Sequence, residues 1–286
     1  MSFKIIVDSS YDMSRSFAKE NNIDVIPIPV ISKTNSEEYL DEETIFSDEF
    51  YKRMKEGEVF STSAISEGIY LNVFEKYYKN NENATYFSLS SNLSITYNNA
   101  KNANEKLKEK YNRQNVFLID SKMGSSAIGL LVLKILQKAK EDISFDEFSK
   151  YVYKIRENIE LIFTVGDLEY LYRGGRLSKT SKVLGSLISI KPVLSVEDGK
   201  IFLKDKVRGN KKFISYVKNS IKKNWNENKK PPIMISVADS SEILDELVTE
   251  LKSEFDLGDN DIILGQVHSV IGSHIGPGSI TIFYEK

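Results

Sequence analysis

The sequence predicts an α/β protein built from two domains. Short β-branched runs alternate with polar turns and with segments whose apolar residues recur every three or four positions, which is typical of α/β folds. A length of 286 residues suits one large or two ordinary domains, at roughly 100–200 residues each. The pattern changes near Asn158, which predicts a first α/β domain over residues 1–158 and a second α/β domain over residues 159–286.

The first domain is expected to alternate strands with helices. The strands are the β-branched runs at residues 4–7, 25–30, 84–89 and 116–119. The helices are the segments with helical apolar spacing, at residues 47–55, 66–78, 95–111, 124–140 and 144–158. The helix at 124–140 is apolar around most of its circumference, so we expect it to be buried.

The second domain is expected to mix a hairpin with crossover units. Its hairpin is predicted from Asp198-Gly199, which lies between the β-prone runs 191–194 and 201–204 and is a strong turn signal. Around it the spacing predicts strands at 161–165, 232–238, 261–267 and 279–284, and helices at 167–172, 210–223 and 241–255. The Gly- and Pro-rich stretch before the last strand is expected to be a loop.

Composition excludes several functional classes. Lys+Arg 39 nearly balances Asp+Glu 41 for a net charge of −2, which disfavours nucleic acid or an anionic membrane surface as the main partner. The Lys- and Asn-rich stretch 222–230 around Trp225 is interpreted as a solvated helix end and loop. With no cysteine and two histidines, the sequence predicts no disulfide, no thiolate zinc site and no other metal site.

The sequence offers no nucleotide cradle and no membrane span. Gly124 and Gly129 have the spacing of a phosphate-binding loop, but Leu130-Leu131 stands where that loop needs a lysine and a hydroxyl. No apolar run approaches the ~20 residues that cross a bilayer, and no signal peptide is recognised at the N-terminus. We therefore expect a cytoplasmic protein without stable membrane insertion.

Four polar loops are the candidates for ligand contact. They lie at residues 61–64, 90–94, 173–176 and 272–278, and they are rich in Ser, Thr, Asn, Gly or Arg. The first two come where a strand gives way to a helix, and such crevices favour anions. Hydroxyl and amide donors suit a carboxylate, although Ser and Thr at these places are also ordinary helix caps and turn formers.

Short motifs, some of them in these loops, follow one another along the chain. The whole series in its order is informative, whereas each motif alone is weak. They are DSS at 8–10, STS at 61–63, LSSNLSITY at 89–97, IDSK at 119–122, DLEYL at 167–171, GGRLS at 174–178, IKPVL at 190–194, VRG at 207–209 and IGSHIGPG at 271–278. In this series the chain resembles the DegV family of bacterial fatty-acid-binding proteins, over essentially its whole length.

The resemblance implies a two-domain fold, with a Rossmann-like N-terminal domain, a C-terminal α/β domain and an acyl chain enclosed between them. It implies that the protein is a lipid-binding protein without catalytic residues or a cofactor. Its fatty acid would be phosphorylated by a separate kinase subunit, in service of phospholipid metabolism. By the same resemblance Thr62 and Ser94 contact the carboxylate. The residues expected to assist them, or to border the carboxylate or the kinase contact, are Ser63, Ser91, Asn92, Arg176, Arg208 and His274.

The sequence departs from the family pattern in two loops. Asn92 and Ile95 stand where glycines are common, and Ala64-Ile65 replaces a more usual Gln-Pro. These changes leave the backbone path of the serine loop open but remove no expected hydroxyl ligand.

An alternative hypothesis is an acyl hydrolase, with Ser94 as nucleophile and His274 as base. Such catalysis also requires a third group that orients the base, and the sequence offers no candidate for it.

Overall fold

The computed structural model describes residues 4–138, 145–177, 190–224 and 232–286. Several features predicted from the sequence lie partly outside these ranges: Ser178 of the GGRLS motif, Trp225 with the rest of its Lys- and Asn-rich stretch, and the ends of two predicted helices at residues 139–140 and 144. The α/β class predicted from the sequence is confirmed by the elements of the described residues.

The described residues form thirteen strands and ten α-helices. The strands are β1 Lys4–Asp8, β2 Ile23–Ile26, β3 Pro29–Ser32, β4 Glu38–Leu40, β5 Phe60–Thr62, β6 Ala84–Ser88, β7 Val116–Asp120, β8 Ile159–Thr164, β9 Ile190–Glu197, β10 Lys200–Arg208, β11 Ile233–Val237, β12 Ile262–Gln266 and β13 Ile280–Glu285. The helices are α1 Arg15–Glu20, α2 Ser47–Lys55, α3 Glu67–Asn80, α4 Thr96–Tyr111, α5 Ser126–Lys138, α6 Phe145–Asn158, α7 Glu169–Arg173, α8 Gly209–Asn224, α9 Leu244–Phe255 and α10 Ser269–Ile275.

Two main sheets divide the chain into an N-terminal and a C-terminal lobe. The first is a parallel four-stranded sheet in the order β2-β1-β6-β7. The second is a mixed six-stranded sheet in the order β10-β9-β8-β13-β11-β12. A small antiparallel sheet, β4-β3-β5, belongs to the N-terminal lobe. Helix α6 ends at Asn158, and β8, the first strand of the C-terminal sheet along the chain, begins at Ile159.

The predicted strand at 25–30 is wrong as a single element. The structure divides it into β2, which pairs with β1, and β3, which belongs to the small sheet. Pro27 lies between them and has no N–H to donate to a ladder. The next amide, that of Ile28, instead donates to Oγ of Ser9 at 3.0 Å.

Of the two buried apolar clusters in the described residues, the larger spans both lobes and the smaller lies within the C-terminal lobe. Helix α5 packs against the C-terminal sheet through β8, β11 and β13, and against α6 on another side. Most of its residues are fully buried, as its uniformly apolar sequence predicts. Met234 and Phe283 of the C-terminal sheet belong to the same buried cluster as Ile6 and Val7 of β1. In the described part of the chain, no helix is long and apolar enough to cross a membrane.

Two buried carboxyl groups of the N-terminal lobe hold the start of α10. Oδ1 of Asp12 accepts from the amide of His268 at 3.1 Å, and Oδ1 of Asp41 accepts from the amide of Ser269 at 3.0 Å. The hydroxyl of Tyr51 adds a bond to the carbonyl of Val267 at 2.9 Å. The C-terminal end of this short helix is therefore held at a fixed position between the lobes.

Candidate functional site

A cavity of about 530 Å³ opens between the lobes, next to the carboxyl ends of β5 and β6. Its polar lining among the described residues consists of seven of the eight residues singled out from the sequence, which are Thr62, Ser63, Ser91, Asn92, Ser94, Arg176 and His274. The remaining lining is largely aliphatic, and includes Ile28, Leu89, Val270, Ile271 and Ile275. Such a mixture of apolar walls with a few grouped polar side chains is typical of a small-molecule site.

The serine loop, residues 90–94, is fixed at its beginning by the core. The amide of Leu89 donates to Oδ2 of the buried Asp8 at 2.8 Å, and the amide of Ser90 donates to the carbonyl of Met123 at 2.8 Å. The amide of Ser94 then closes the loop on the carbonyl of Ser90 at 3.1 Å. Burial raises the pKa of Asp8, although its hydrogen bonds oppose that shift.

Two expected ligand-binding side chains of this loop are engaged in holding its shape. The hydroxyl of Ser91 donates to Oδ2 of Asp120 at 2.5 Å. The side-chain Nδ2 of Asn92 donates to the carbonyl of Asp198 at 2.7 Å, in the turn of the β9–β10 hairpin. The hydroxyl of Ser90 likewise donates to the carbonyl of Gly199 at 2.9 Å. Asn92, which stands where a glycine is common, therefore ties the loop to the C-terminal lobe.

Ser94 lies at the start of α4. Its Oγ accepts from the amide of Thr96 at 3.2 Å and is 2.8 Å from Oγ1 of the same residue. Either hydroxyl can be the donor in that pair. When Thr96 donates, the hydrogen of Ser94 is free to donate to a ligand in the cavity.

Thr62 and His274 meet across the cavity wall. Thr62 ends β5, in register with Val30 of β3, and its Oγ1 lies 2.8 Å from Nε2 of His274. The loop predicted at residues 272–278 is wrong in its first part, because His274 lies in the last turn of α10. A Cβ at position 272 of that helix would lie 2.4 Å from the hydroxyl oxygen of Tyr51. Gly272 therefore leaves the space that the Tyr51 side chain occupies.

The surroundings of His274 disfavour its charged form. Burial, followed by the nearby charge of Arg176, lowers its pKa to about 3, so the imidazole is neutral at neutral pH. Nδ1 has no hydrogen-bond partner among the described residues. Because an orphaned N–H is rarer than an orphaned acceptor, the favoured tautomer carries its hydrogen on Nε2 and donates to Thr62. The hydroxyl hydrogen of Thr62 is then available to the cavity.

Arg176 brings a cation from the C-terminal lobe to the serine loop. Its Nε donates to the carbonyl of Leu93 at 3.1 Å, and its Nη1 donates to the carbonyl of Gly174. Burial lowers the pKa of this guanidinium, which still remains charged because an arginine pKa starts above 12. The cavity therefore has a positive group beside its hydroxyls.

Arg208 does not join this group. It lies exposed at the far end of β10, where it pairs with Ile190, whereas Ile201 near the start of the same strand lines the cavity. Seven residues of strand separate the two by roughly 23 Å. The hairpin turn docks on the serine loop, so β10 leads away from the cavity.

Gly174 is a site residue that sequence reasoning did not assign. An added Cβ at this position would lie 2.4 Å from Nδ1 of His274, so the imidazole occupies the space that the glycine leaves. Its φ is not in the left-handed region, and the paired glycines Gly174-Gly175 suggested only a turn. No local signal identifies this packing role, because it depends on a helix a hundred residues away.

Gly174→Ala is expected to displace the ring of His274 and break its bond to Thr62. A ring released into water should recover a pKa near 6.5 in place of about 3. The free energy of unfolding should fall by roughly 1–3 kcal/mol from overpacking. With two histidines in the chain, an NMR titration of the ring protons distinguishes them readily.

Gly68→Ala provides a matched control for this substitution. A Cβ at that helical position would lie 3.9 Å from its nearest neighbour, so His274 should titrate as in the unaltered protein. A pKa that stays near 3 in Gly174→Ala would contradict the packing argument.

The site holds no arrangement suited to a metal. Among residues 4–138, 145–177, 190–224 and 232–286, no group of three or more His, Asp or Glu side chains is placed to ligate an ion. The donors gathered at the cavity are hydroxyls, an imidazole and a guanidinium, which suit an anionic head group.

Sequence comparisons match the chain to known proteins over nearly its whole length. The family described as "Uncharacterised protein, DegV family" matches residues 2–286. A DegV domain-containing protein of Clostridium perfringens is 32% identical over 285 residues, covering 99% of this chain and 97% of the relative.

Solved structures give the same result. The chain is similar to a stearic acid-binding protein from Eubacterium ventriosum, with 27% identity, a TM-score of 0.88, and coverage of 99% of this chain and 97% of that one. It is also similar to a fatty acid binding protein, DegV, from Bacillus subtilis, with 25% identity, a TM-score of 0.83 and full coverage of both chains.

Proposed function

The chain belongs to the DegV family, and we propose that it binds a long-chain fatty acid and presents the carboxylate to a separate kinase subunit for phosphorylation to an acyl phosphate. The observation that carries this proposal is the make-up of the cavity, where the hydroxyls of Thr62 and Ser94 share one space with aliphatic side chains. Its volume of about 530 Å³ falls within the range of roughly 300–1,000 Å³ of small-molecule sites.

The carboxylate would be held by neutral donors backed by one cation. Thr62 donates to it while accepting from Nε2 of His274, and Ser94 donates from the start of α4. Hydrogen bonds to a charged acceptor are roughly twice as strong as neutral ones. Arg176, held on the carbonyl of Leu93, adds favourable Coulomb energy. Ser63 lines the same cavity and completes the set of hydroxyls.

The acyl chain would lie along the aliphatic part of the cavity. Ile28 and Leu89 come from the N-terminal lobe, and Val270, Ile271 and Ile275 come from α10. Burying apolar area contributes about 25 cal/mol per Å², so these walls supply most of the affinity. The polar head group would supply the orientation.

A partner kinase would provide the nucleotide chemistry that the sequence lacks. A carboxylate oxygen attacks the terminal phosphorus of kinase-bound ATP, and the new O–P bond forms as the bond to the bridging oxygen of ADP breaks. ADP leaves and the acyl phosphate remains in this protein as an activated acyl donor, which suits a supply to phospholipid synthesis. Positive charge at Arg176 would offset charge gathered on the transferring group. The exposed Arg208 would contribute through the kinase contact and not through the cavity.

The acyl-hydrolase alternative receives less support from the same geometry. Among the described residues, Nε2 of His274 bonds to Thr62, whereas Ser94 bonds to Thr96. Nδ1 of His274 meets no orienting carboxylate in that part of the chain. A histidine with a pKa of about 3 is also a poor general base at neutral pH.

Protein purified from a bacterial host is expected to carry close to one long-chain fatty acid per chain. Denaturing extraction followed by mass spectrometry identifies the lipid, and native mass spectrometry gives the occupancy. Protein that is repeatedly empty and takes up neither palmitate nor oleate would overturn the binding proposal. Bound lipid that acquires no labelled phosphate from ATP with a fatty acid kinase subunit would overturn the presentation role alone.

A further inference from the structure

A second cavity, of about 240 Å³, lies in the N-terminal lobe beside the start of α10. We call it the acidic cavity, because its lining includes Asp41, Glu42 and Glu43. None of its lining residues in the described part of the chain also lines the larger cavity between the lobes. The two are therefore separate spaces, on either side of the chain segment around Ile28.

Three buried polar atoms of this lining have no hydrogen-bond partner among the described residues. They are Oη of Tyr11, Oδ2 of Asp41 and Nδ1 of His268. The three residues are 2%, 1% and 7% exposed, so each leaves a polar atom largely shielded from bulk water. Because a buried polar atom without a partner keeps the full cost of its desolvation, three in one cavity point to an occupant that completes them.

The carboxyl group of Asp41 is fixed by hydrogen bonds to one of its two oxygens. Its Oδ1 accepts from the amide and the hydroxyl of Ser269, which fixes the carboxyl plane. Oδ2 is the atom left without a partner in the described residues. The side chain is thus preorganised to accept one more hydrogen bond, without any loss of its own rotational freedom.

Local charge selects a cation. Asp41 and Glu42 line the cavity, and the carboxyl of Asp12 lies 3.8 Å from Nδ1 of His268. Burial raises the pKa of both Asp12 and Asp41, so a cation beside them would favour their ionised forms. The basic side chains of the lining, Arg15 and Lys19, belong to exposed residues.

The number and type of the free atoms fit a primary ammonium ion. An ammonium group has three donors and no acceptor. The lining offers three atoms able to accept, of which Nδ1 of His268 accepts when the ring is neutral and carries its hydrogen on Nε2. The described residues show no His, Asp and Glu grouping that would hold a metal. Apolar walls formed by Met13, Ala18, Ile23, Val25 and Pro27 suit a short aliphatic chain attached to the charged group.

We propose that the acidic cavity binds a small aliphatic amine as its ammonium ion, with the nitrogen among Tyr11, Asp41 and His268 and the carbon chain against Ile23 and Val25. This site is independent of the fatty-acid site, since the two cavities are lined by different residues. It also adjoins the start of the helix that carries His274.

The test is an NMR titration of the full chain with n-butylammonium chloride. Potassium chloride, 1-butanol and tetramethylammonium chloride serve as comparison probes, because they lack the aliphatic chain, the charge or the N–H donors. We expect saturable shifts for the amides of Ala18 and His268 with n-butylammonium alone. Equal responses to any comparison probe, or no saturable response to n-butylammonium, would overturn the proposal.

Two variants locate the site without disturbing the Asp41 anchor. Tyr11→Phe removes one unpartnered hydroxyl and should weaken binding roughly tenfold. Ala18→Leu fills the cavity and should abolish binding. Tyr153→Phe, at an exposed tyrosine outside the cavity, is the matched control and should bind as the unaltered chain does.

Affinity that is unchanged in both cavity variants would place the amine elsewhere and contradict the assignment. Fatty-acid occupancy, measured on the same preparations, should be unaffected by either variant. An empty large cavity would count against the proposed function, whereas an amine that fails to bind would count only against this second site.

Discussion

The double variant Thr62→Val, Ser94→Ala is expected to lower the affinity for a long-chain fatty acid by at least about a hundredfold. It removes two hydroxyl donors placed at the cavity, and each hydrogen bond to a charged group contributes about 1.5–3 kcal/mol. Valine keeps the branched shape of Thr62, so the register of β5 with β3 should persist. The apolar walls are unchanged, which should leave a weak and unoriented residual binding.

The measurement combines native mass spectrometry of protein as purified with a titration of delipidated protein by oleate. Thr85→Val, Ser240→Ala is the matched control. Thr85 is buried in β6 with an Oγ1 that has no hydrogen-bond partner in the described ranges, and Ser240 is exposed. This control should keep full occupancy. If the Thr62, Ser94 variant also kept it, these hydroxyls would not hold the head group.

The loops that carry this prediction could be located from the sequence because their signal is local. A β-prone run, a cluster of hydroxyl residues and a helical pattern follow one another at both 60–67 and 84–96. In an α/β fold that order places the hydroxyls at the carboxyl edge of a sheet. The observed strand β6 ends at Ser88, just before the second cluster, whereas β5 ends at Thr62, inside the first cluster.

What could not be predicted depends on contacts between distant segments. The Gly-rich stretch at 271–278 reads as a loop, yet its first part is helical because Gly272 packs under Phe50 and Tyr51. Tertiary packing here outweighs the low helix propensity of glycine. The position of Arg208 depends similarly on where the β9–β10 turn docks. Hydrogen bonds from Ser90 and Asn92 fix that turn, and they join segments about a hundred residues apart.

The residues that hold the site together are also hidden in the sequence. Asp12 and Asp41 look like ordinary polar residues near turns, and the family resemblance assigned them no role. In the fold they receive the amides at the start of α10, while the other end of that helix meets Thr62. Buried carboxyl groups in such positions link the geometry of the site to the pH dependence of folding.

Asp12→Asn is therefore expected to be more stable than the unaltered protein at neutral pH, but not at pH 4. Burial raises the pKa of Asp12 from 3.8 to about 7, against the opposing charge of His268. The folded state thus keeps a proton that the unfolded state releases. Stability from this group is lost as the pH rises from about 4 to about 7, by about 4 kcal/mol in all. An asparagine escapes that loss because it cannot ionise.

The substitution also preserves the local hydrogen bonds. Oδ1 of the asparagine can still accept from the amide of His268, and its Nδ2 can donate to the hydroxyl of Ser125, which now donates to Asp12 at 2.5 Å. Urea unfolding of fatty-acid-free protein between pH 4 and pH 8 measures the difference. Both proteins contain His274, whose lowered pKa acts in the opposite sense, so that its contribution cancels between them.

Asp259→Asn is the control with the opposite sign. The ion pair with Lys252 lowers the pKa of this exposed carboxyl. The unaltered protein should therefore lose no stability relative to Asp259→Asn as the pH rises. Parallel stability curves for the unaltered protein and Asp12→Asn across the whole range would show that the pKa of Asp12 is not raised in the fold. In that case its carboxylate, and not a neutral carboxyl, would anchor α10 and set the position of His274.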